Sequence, residues 1–255
     1  PPPPLSSSSS SDGDIDIFVA NFKESNVLYI NNGTGHFTDN TAAAGLKDNE
    51  SSFGSAFGDV NGDGHLDLYV SNSEVANRLY VNDGAGHFTD ATAAAGVGDK
   101  GDARACVLAD FDGDMDLDIY VVNTRSANVL YVNDEKGIFK DGSAAAGADS
   151  KYITQGMNVA DVDGDGDLDI LNTNWASSNI LYINDGSGKF KDGTRSAGVG
   201  GIIVGQGAAF GDLNGDGRLD LFVDSWGSPP LGSSVTANQL YINGGAGGAN
   251  GSAWL

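Results

Sequence analysis

The chain has 255 residues, and its 13 Lys+Arg against 35 Asp+Glu give a formal net charge of −22. That balance excludes a nucleic-acid surface, which needs a basic stripe, and no apolar run approaches the length of a membrane span. Cys106 is the only cysteine, which excludes an intrachain disulfide.

Residues 1–11, four prolines and a leucine followed by six serines, break sharply from everything after them. They read as a Pro/Ser-rich linker or terminal arm, extended in its prolines and flexible in its serines. No secretory leader is visible, so the chain reads as mature or as a fragment.

Asp59-Val60-Asn61-Gly62-Asp63-Gly64-His65-Leu66-Asp67 is the first complete acidic loop. It recurs with first aspartates at Asp110, Asp161 and Asp212, a period of 51 residues each time. Side-chain oxygens fall at positions 1, 3, 5 and 9: Asp59, Asn61, Asp63 and Asp67; Asp110, Asp112, Asp114 and Asp118; Asp161, Asp163, Asp165 and Asp169; Asp212, Asn214, Asp216 and Asp220. With Asp167, the 161–169 loop puts five aspartates in nine residues, which repel one another unless a divalent cation reverses the sign of that interaction. Hard cations such as calcium take six to eight oxygens, so the reading is about four calcium sites; four ions would bring the net charge to about −14.

An EF-hand starts similarly but needs a glutamate at position 12 and flanking helices. Position 12 holds Val70, Val121, Asn172 and Val223, and the following residues alternate like strands. Plain Asn-Gly and Asp-Gly hairpin turns are the other alternative; four copies keeping aspartate at positions 1, 5 and 9 favour calcium. Ahead of them, Ser8 and Ser10 stand where the first two ligands of an earlier copy would be, while Asp12, Asp14 and Asp16 keep its second half. That copy is expected to bind weakly or not at all.

Each unit then repeats one order: an apolar run (Gly54 to Gly58), the loop, a strand (Leu66 to Ser71), a second strand (Arg78 to Asn82), and a turn into His87-Phe88-Thr89-Asp90. Tyr29, Tyr80, Tyr131, Tyr182 and Tyr241 recur, as do Phe37, Phe88, Phe139 and Phe190, and read as a layer packed between units. Cys106 shares its repeat position with Ser55 and Met157, which makes it a packing position rather than a reactive thiol. Ala-Ala-Ala-Gly is long enough for a single helical turn and too short for an independent helix. Four short strands per stacked unit predict an all-β fold, a β-propeller of about five four-stranded blades over residues 12–243. The fifth copy departs: about eight extra residues lie between Asp224 and Asn238, and residues 244–255 form an irregular C-terminal segment.

These residues resemble the FG-GAP and VCBS repeat family of calcium-loop propellers, which includes integrin alpha-chain heads. The resemblance rests on Phe57-Gly58-Asp59, Phe210-Gly211-Asp212, the acidic loops and endings such as Asn184 to Phe190. Asn250 to Leu255 is similar to the start of the ASPIC/UnbV segment of cartilage-acidic-protein-like chains. The family implies side-chain ligands at positions 1, 3, 5 and 9 and a backbone carbonyl at position 7. Position 7 is His65, Asp116, Asp167 and Arg218; carbonyl ligation gives the side chains of His65 and Arg218 no part in the site. Met115, in place of the loop glycine, is a departure that weakens the third loop.

No histidine stands near a distinctive serine or cysteine and no carboxylate pair is singled out, so no enzyme is expected. The favoured reading is a calcium-stabilised extracellular or cell-surface structural or adhesion module, a repeating unit of a fibre or coat that contacts further copies through its terminal segments. Low-millimolar calcium outside cells, where weak modules operate, favours that compartment. The alternative is a carbohydrate-binding or protein-binding propeller, with Trp175 and Trp226 at equivalent positions offered to glycans. Asn32, Asn49 and Asn250 head glycosylation sequons.

Overall fold

The computed structural model describes residues 13–175, 177–200, 202–203, 205–225 and 238–245. It is all-β apart from single helical turns, and antiparallel sheets follow one another along the chain. The first has three strands, β1 (Ile17–Val19), β2 (Val27–Asn31) and β3 (Phe37–Asp39). The second has four, β4 (Ser52–Gly58), β5 (Asp67–Asn72), β6 (Arg78–Asn82) and β7 (Phe88–Asp90), as does the third, β8 (Ala103–Ala109), β9 (Asp118–Asn123), β10 (Val129–Asn133) and β11 (Phe139–Asp141). Then come β12 (Thr154–Ala160), β13 (Asp169–Asn174), β14 (Ser177–Ser178), β15 (Ile180–Asn184) and β16 (Phe190–Asp192); β14 leaves this fourth sheet to pair with β17 (Ile202–Ile203). The fifth sheet has β18 (Gly205–Gly211), β19 (Asp220–Ser225) and β20 (Gln239–Tyr241).

The expected four strands per unit are present in the second, third and fourth sheets, and three are described in the first and fifth. Residues 1–12 and 246–255, which hold nearly all of the arm and tail assigned from sequence, lie outside the described residues. The chain divides into two compact units, residues 1–108 with 116–121 and 131–141, and residues 109–115 with 122–130 and 142–255.

Each acidic loop is the hairpin between the first and second strands of its sheet. The second strand is buried along its whole length in the three complete sheets. Burial on both faces explains the near-continuous apolar centre of Asp67-Leu68-Tyr69-Val70-Ser71-Asn72. In the first unit Leu68 and Val70 pack with Leu28, Leu46, Tyr80 and Phe88; Tyr69 donates its hydroxyl to the Val97 carbonyl at 3.0 Å. In the second unit Leu171, Leu181, Val199, Leu221 and Val223 form the corresponding core. The repeated aromatics are buried in the complete sheets, with Tyr182 edge-on to Phe190 at 6.3 Å. Phe37 of the first sheet is 37% exposed.

The Ala-rich segments are one-turn helices, Thr92–Ala95, Ser143–Ala146 and Thr194–Ala197. Their first residue ties the turn to the sheet: Thr92 Oγ1 accepts from Leu79 N at 3.0 Å, and Thr92 N donates to Asp90 Oδ1 at 2.9 Å. Thr41, Ser143 and Thr194 accept from Leu28, Leu130 and Leu181 in the same way. The turn ends on a left-handed glycine that also permits a close approach. At Gly147 (φ 76°) a Cβ would meet the Phe190 carbonyl at 2.9 Å. Among the described residues no helix is long and apolar enough to cross a membrane.

Candidate metal centres

The loops are built around their first aspartate. Asp161 Oδ1 accepts from the N–H groups of Gly164 and Asp165 at 2.7 and 3.2 Å, and its Oδ2 from Gly166 at 3.0 Å. Asp59 does the same with Gly62, Asp63 and Gly64, and Asp212 with Gly215, Asp216 and Gly217. Position 5 closes the next turn: Asp63, Asp165 and Asp216 accept from the N–H of His65, Asp167 and Arg218 at 2.9–3.0 Å. Neighbouring carboxylates are thus gathered into one loop by backbone donors.

Position 9 ties the loop to the sheet. Asp67, Asp118, Asp169 and Asp220 are each no more than 1% exposed. Asp169 Oδ2 accepts from Val162 N and Oδ1 from Asn184 N, both at 2.9 Å. Asp67 does so with Val60 and Asn82, and Asp220 with Leu213 and Asn243. The partner asparagine then makes a clamp. Asn184 Nδ2 donates to Leu168 O of its own loop at 3.1 Å and to Phe111 O, in the loop of the preceding sheet, at 2.8 Å. Asn133 joins Leu117 O and Val60 O, and Asn243 joins Leu219 O and Val162 O.

Among the described residues, two groups of carboxylates bring ligand oxygens within 4.8 Å of one another, Asp110 with Asp112 and Asp114, and Asp161 with Asp163 and Asp169. Burial pushes Asp67 and Asp169 up to about 6. Burial, and then the charge of Asp114, raises Asp112; burial, and then Asp165, raises Asp163. Asp112 Oδ1 is buried and has no hydrogen-bond partner among the described residues. An orphaned, desolvated carboxylate oxygen among other carboxylates fits a hard divalent cation, which would satisfy it and cancel the repulsion.

The loops are not equivalent. Met115 occupies the left-handed region at φ 76°, where Gly64, Gly166 and Gly217 stand elsewhere, and its side chain is 89% exposed. At position 7, Arg218 does more than offer a carbonyl: Nη2 donates to Asp216 Oδ2 at 2.5 Å and Nε to Asn243 O at 2.9 Å. The His65 ring packs over Gly84, and its Nδ1 is buried without a partner among the described residues. In the fifth loop Asp212 is held below the usual carboxylate range, chiefly by the N–H of Gly217.

In the degenerate first copy, Asp16 still accepts from Asn31 N at 2.9 Å and the Asp14 carboxylate lies against Gly33; Asp12 is outside the described residues. Trp175 is half-buried and donates its backbone N–H to the Ile153 carbonyl at 2.8 Å, while Trp226 is outside the described residues. Asn32 and Asn49 are exposed, and Asn250 is outside. Burial pushes the Cys106 thiol up to about 12, the value of an inert packing group. Among the described residues, open clefts recur at one repeat position, beside Thr41, Thr92 and Thr194, as a feature of the repeat.

The asparagine clamp and the Arg218 pair are absent from the sequence reading. Asn31, Asn82, Asn133, Asn184 and Asn243 do stand at one repeat position, which is the signal that could have found the clamp.

Among known proteins the chain is similar to cartilage acidic protein 1 of Mus musculus, 26% identical across 86% of this chain and 39% of that protein. The Homo sapiens protein of that name is 27% identical across 86% of this chain and 38% of its own length. The chain thus spans about two fifths of these relatives. A solved structure, the V. cholerae biofilm matrix protein Bap1, aligns over 71% of this chain and 30% of that one, with a TM-score of 0.42 and 18% identity. Residues 10–70, 59–121, 110–172 and 161–223 each match the FG-GAP-like repeat, and with that coverage the chain belongs to the FG-GAP-like repeat family.

Proposed function

We propose that the chain is a calcium-stabilised, non-catalytic module of an extracellular structure, a five-bladed propeller in which the ions hold the acidic loops and the sheets present the surface. The carrying observation is the convergence of carboxylate oxygens in the third and fourth loops, with Asp112 Oδ1 buried and unpartnered. Asp110, Asp112 and Asp114, and Asp161, Asp163, Asp165 and Asp169, would hold the ions, with Asp59, Asn61, Asp63 and Asp67 and Asp212, Asn214, Asp216 and Asp220 as the sparser sets. Calcium supplies charge neutralisation and oxygen ligation. The chain supplies the backbone donors that pre-gather the carboxylates. An extracellular setting is supported by the relatives' name, which places them in cartilage, and by the calcium available outside cells.

A site about tenfold below ambient calcium contributes roughly 1.4 kcal/mol, and four would give on the order of 5–6 kcal/mol, comparable to the whole net stability of many domains. Melts in calcium and in chelator test this: a large rise in Tm with calcium is expected, and identical midpoints would reduce the loops to turns. The fibre or coat role is tested by electron microscopy of the natural material and by deletion of residues 1–11, which should abolish assembly and leave the fold intact.

A second reading, ligand binding on the side opposite the acidic loops, is favoured by one observation. Phe22, 51% exposed, stacks on Phe53 at 5.0 Å, with Arg104 over the Phe53 ring at 4.0 Å. A glycan array probed with the purified chain tests it.

A further inference from the structure

The fifth loop has the same backbone hydrogen bonds as the fourth but a different charge. The fourth has five aspartates; the fifth has three, with Asn214 at position 3 and Arg218 at position 7. In both, the position 7 side chain lies over the turn residue that follows the clamp asparagine. A Cβ on Gly186 would meet the Asp167 carboxylate at 2.4 Å, and one on Gly245 would meet the Arg218 guanidinium at 3.5 Å. The consequences are opposite. Asp167 adds negative charge beside Asp161, Asp163 and Asp165. Arg218 bonds Asp216 Oδ2 through Nη2, while Asp216 Oδ1 already accepts from Arg218 N at 3.0 Å, so both oxygens of this position 5 ligand are engaged. Nε anchors the same guanidinium on Asn243 O, and Asn243 is the residue that binds Asp220 and clamps Val162 O.

We infer that Arg218 is a built-in counter-ion that holds the fifth loop closed in the absence of metal and competes with calcium for Asp216, so that the fifth loop is the least calcium-dependent of the four. The inference rests on the calcium reading proposed above. The pair is partly open to solvent, with side-chain exposures of 43% for Arg218 and 28% for Asp216. A pair of that kind has modest intrinsic strength; its effect here comes from where it sits, on a ligand and next to an incoming double charge. A guanidinium at this distance repels the ion it would have to admit.

The test is a calcium titration of the whole chain followed by heteronuclear NMR, reading the amides of Gly166 and Gly217, which bond the first aspartates of the two loops. In the wild type Gly166 should respond at lower calcium than Gly217. Arg218→Gln should move the Gly217 response to lower calcium, on the order of tenfold, and lower the midpoint of a melt in chelator. The reciprocal Asp167→Arg should move the Gly166 response to higher calcium and raise the chelator midpoint; it also carries the test should Arg218→Gln fail to fold without metal. Coincident responses of Gly166 and Gly217 in the wild type, or an unchanged Gly217 response in Arg218→Gln, would overturn the inference alone. No response at Gly166 would sink the calcium reading and this inference with it.

Discussion

The fourth and fifth loops separate two jobs that one nine-residue stretch performs. Asp161 and Asp212 each accept the same three N–H groups, and Asp169 and Asp220 each join the loop's second residue to the clamp asparagine. Positions 3 and 7 carry the difference, Asp163 and Asp167 against Asn214 and Arg218. The shape of the loop therefore comes from positions 1, 5 and 9 and the glycines. The two loops differ in their demand for a cation through positions 3 and 7.

The largest effect should follow from attacking the shared frame. Asp169→Ala leaves two buried N–H groups, of Val162 and Asn184, without acceptors. At 1–3 kcal/mol for each orphaned group the expected loss is about 3–4 kcal/mol. Asp220→Ala should cost about the same, read from denaturant midpoints, and a much milder fifth-loop variant would break the comparison.

The next effect separates the loops. Asp165→Ala should abolish one calcium increment of roughly 1.4 kcal/mol while leaving or raising stability in chelator, because it removes a charge that raises Asp163. Asp216→Ala should reduce the calcium increment less and lower stability in chelator, since Arg218 loses its partner. Paired melts of both variants with and without calcium decide it.

A third prediction concerns pH. Asp67 and Asp169 sit at about 6 in the folded chain against 3.8 ordinarily, so between those values the folded state binds more protons than the unfolded one. Stability in chelator should therefore fall as pH rises from about 4 to about 6. The calcium increment should grow over that same window, because the ligands must be ionised to bind. Asp212, whose carboxyl is lowered, keeps its charge to more acid pH. A chelator melt that rises in that window would contradict the burial of position 9.

The smallest effect is in the third loop. Met115→Gly relieves a side chain held at positive φ, where Gly166 does the same work in the fourth loop. The strain relieved, less the added freedom of glycine in the unfolded chain, is worth about 0.5–1 kcal/mol. A rise of a few degrees or less in Tm is expected, and a fall would show that Met115 makes a contact worth more than its strain.

Much of this was legible in the sequence because it is local. The loop positions, the strand that follows each loop, the single turn at Ala-Ala-Ala-Gly and the odd place of Met115 all rest on spacing within a few residues or on comparison between copies. The asparagine clamp was not legible, although the asparagines recur in phase, because its acceptors are main-chain carbonyls 73 residues away for Asn133 and Asn184 and 81 for Asn243. A carbonyl carries no side-chain signature. Arginine is no calcium ligand, so Arg218 carries no signal for the site in the sequence; that it bonds one follows from its reach over Gly245, which spacing does not disclose. Trp226 and Asn250 fall outside the described residues.

The clamp divides the freedom to drift unequally between its two ends. Its donor must be an amide side chain, and every copy has asparagine there. Its acceptor is the carbonyl of the loop's second residue, which is Val60, Phe111 or Val162. Any amino acid offers that atom, so the second residue is left free to be chosen for filling the core, as the nearly fully buried Phe111 and Val162 are. Copies can thus diverge in the volume they place between sheets without losing the bond that joins one sheet to the next, which is a way for a repetitive chain to become irregular inside while its joints stay identical.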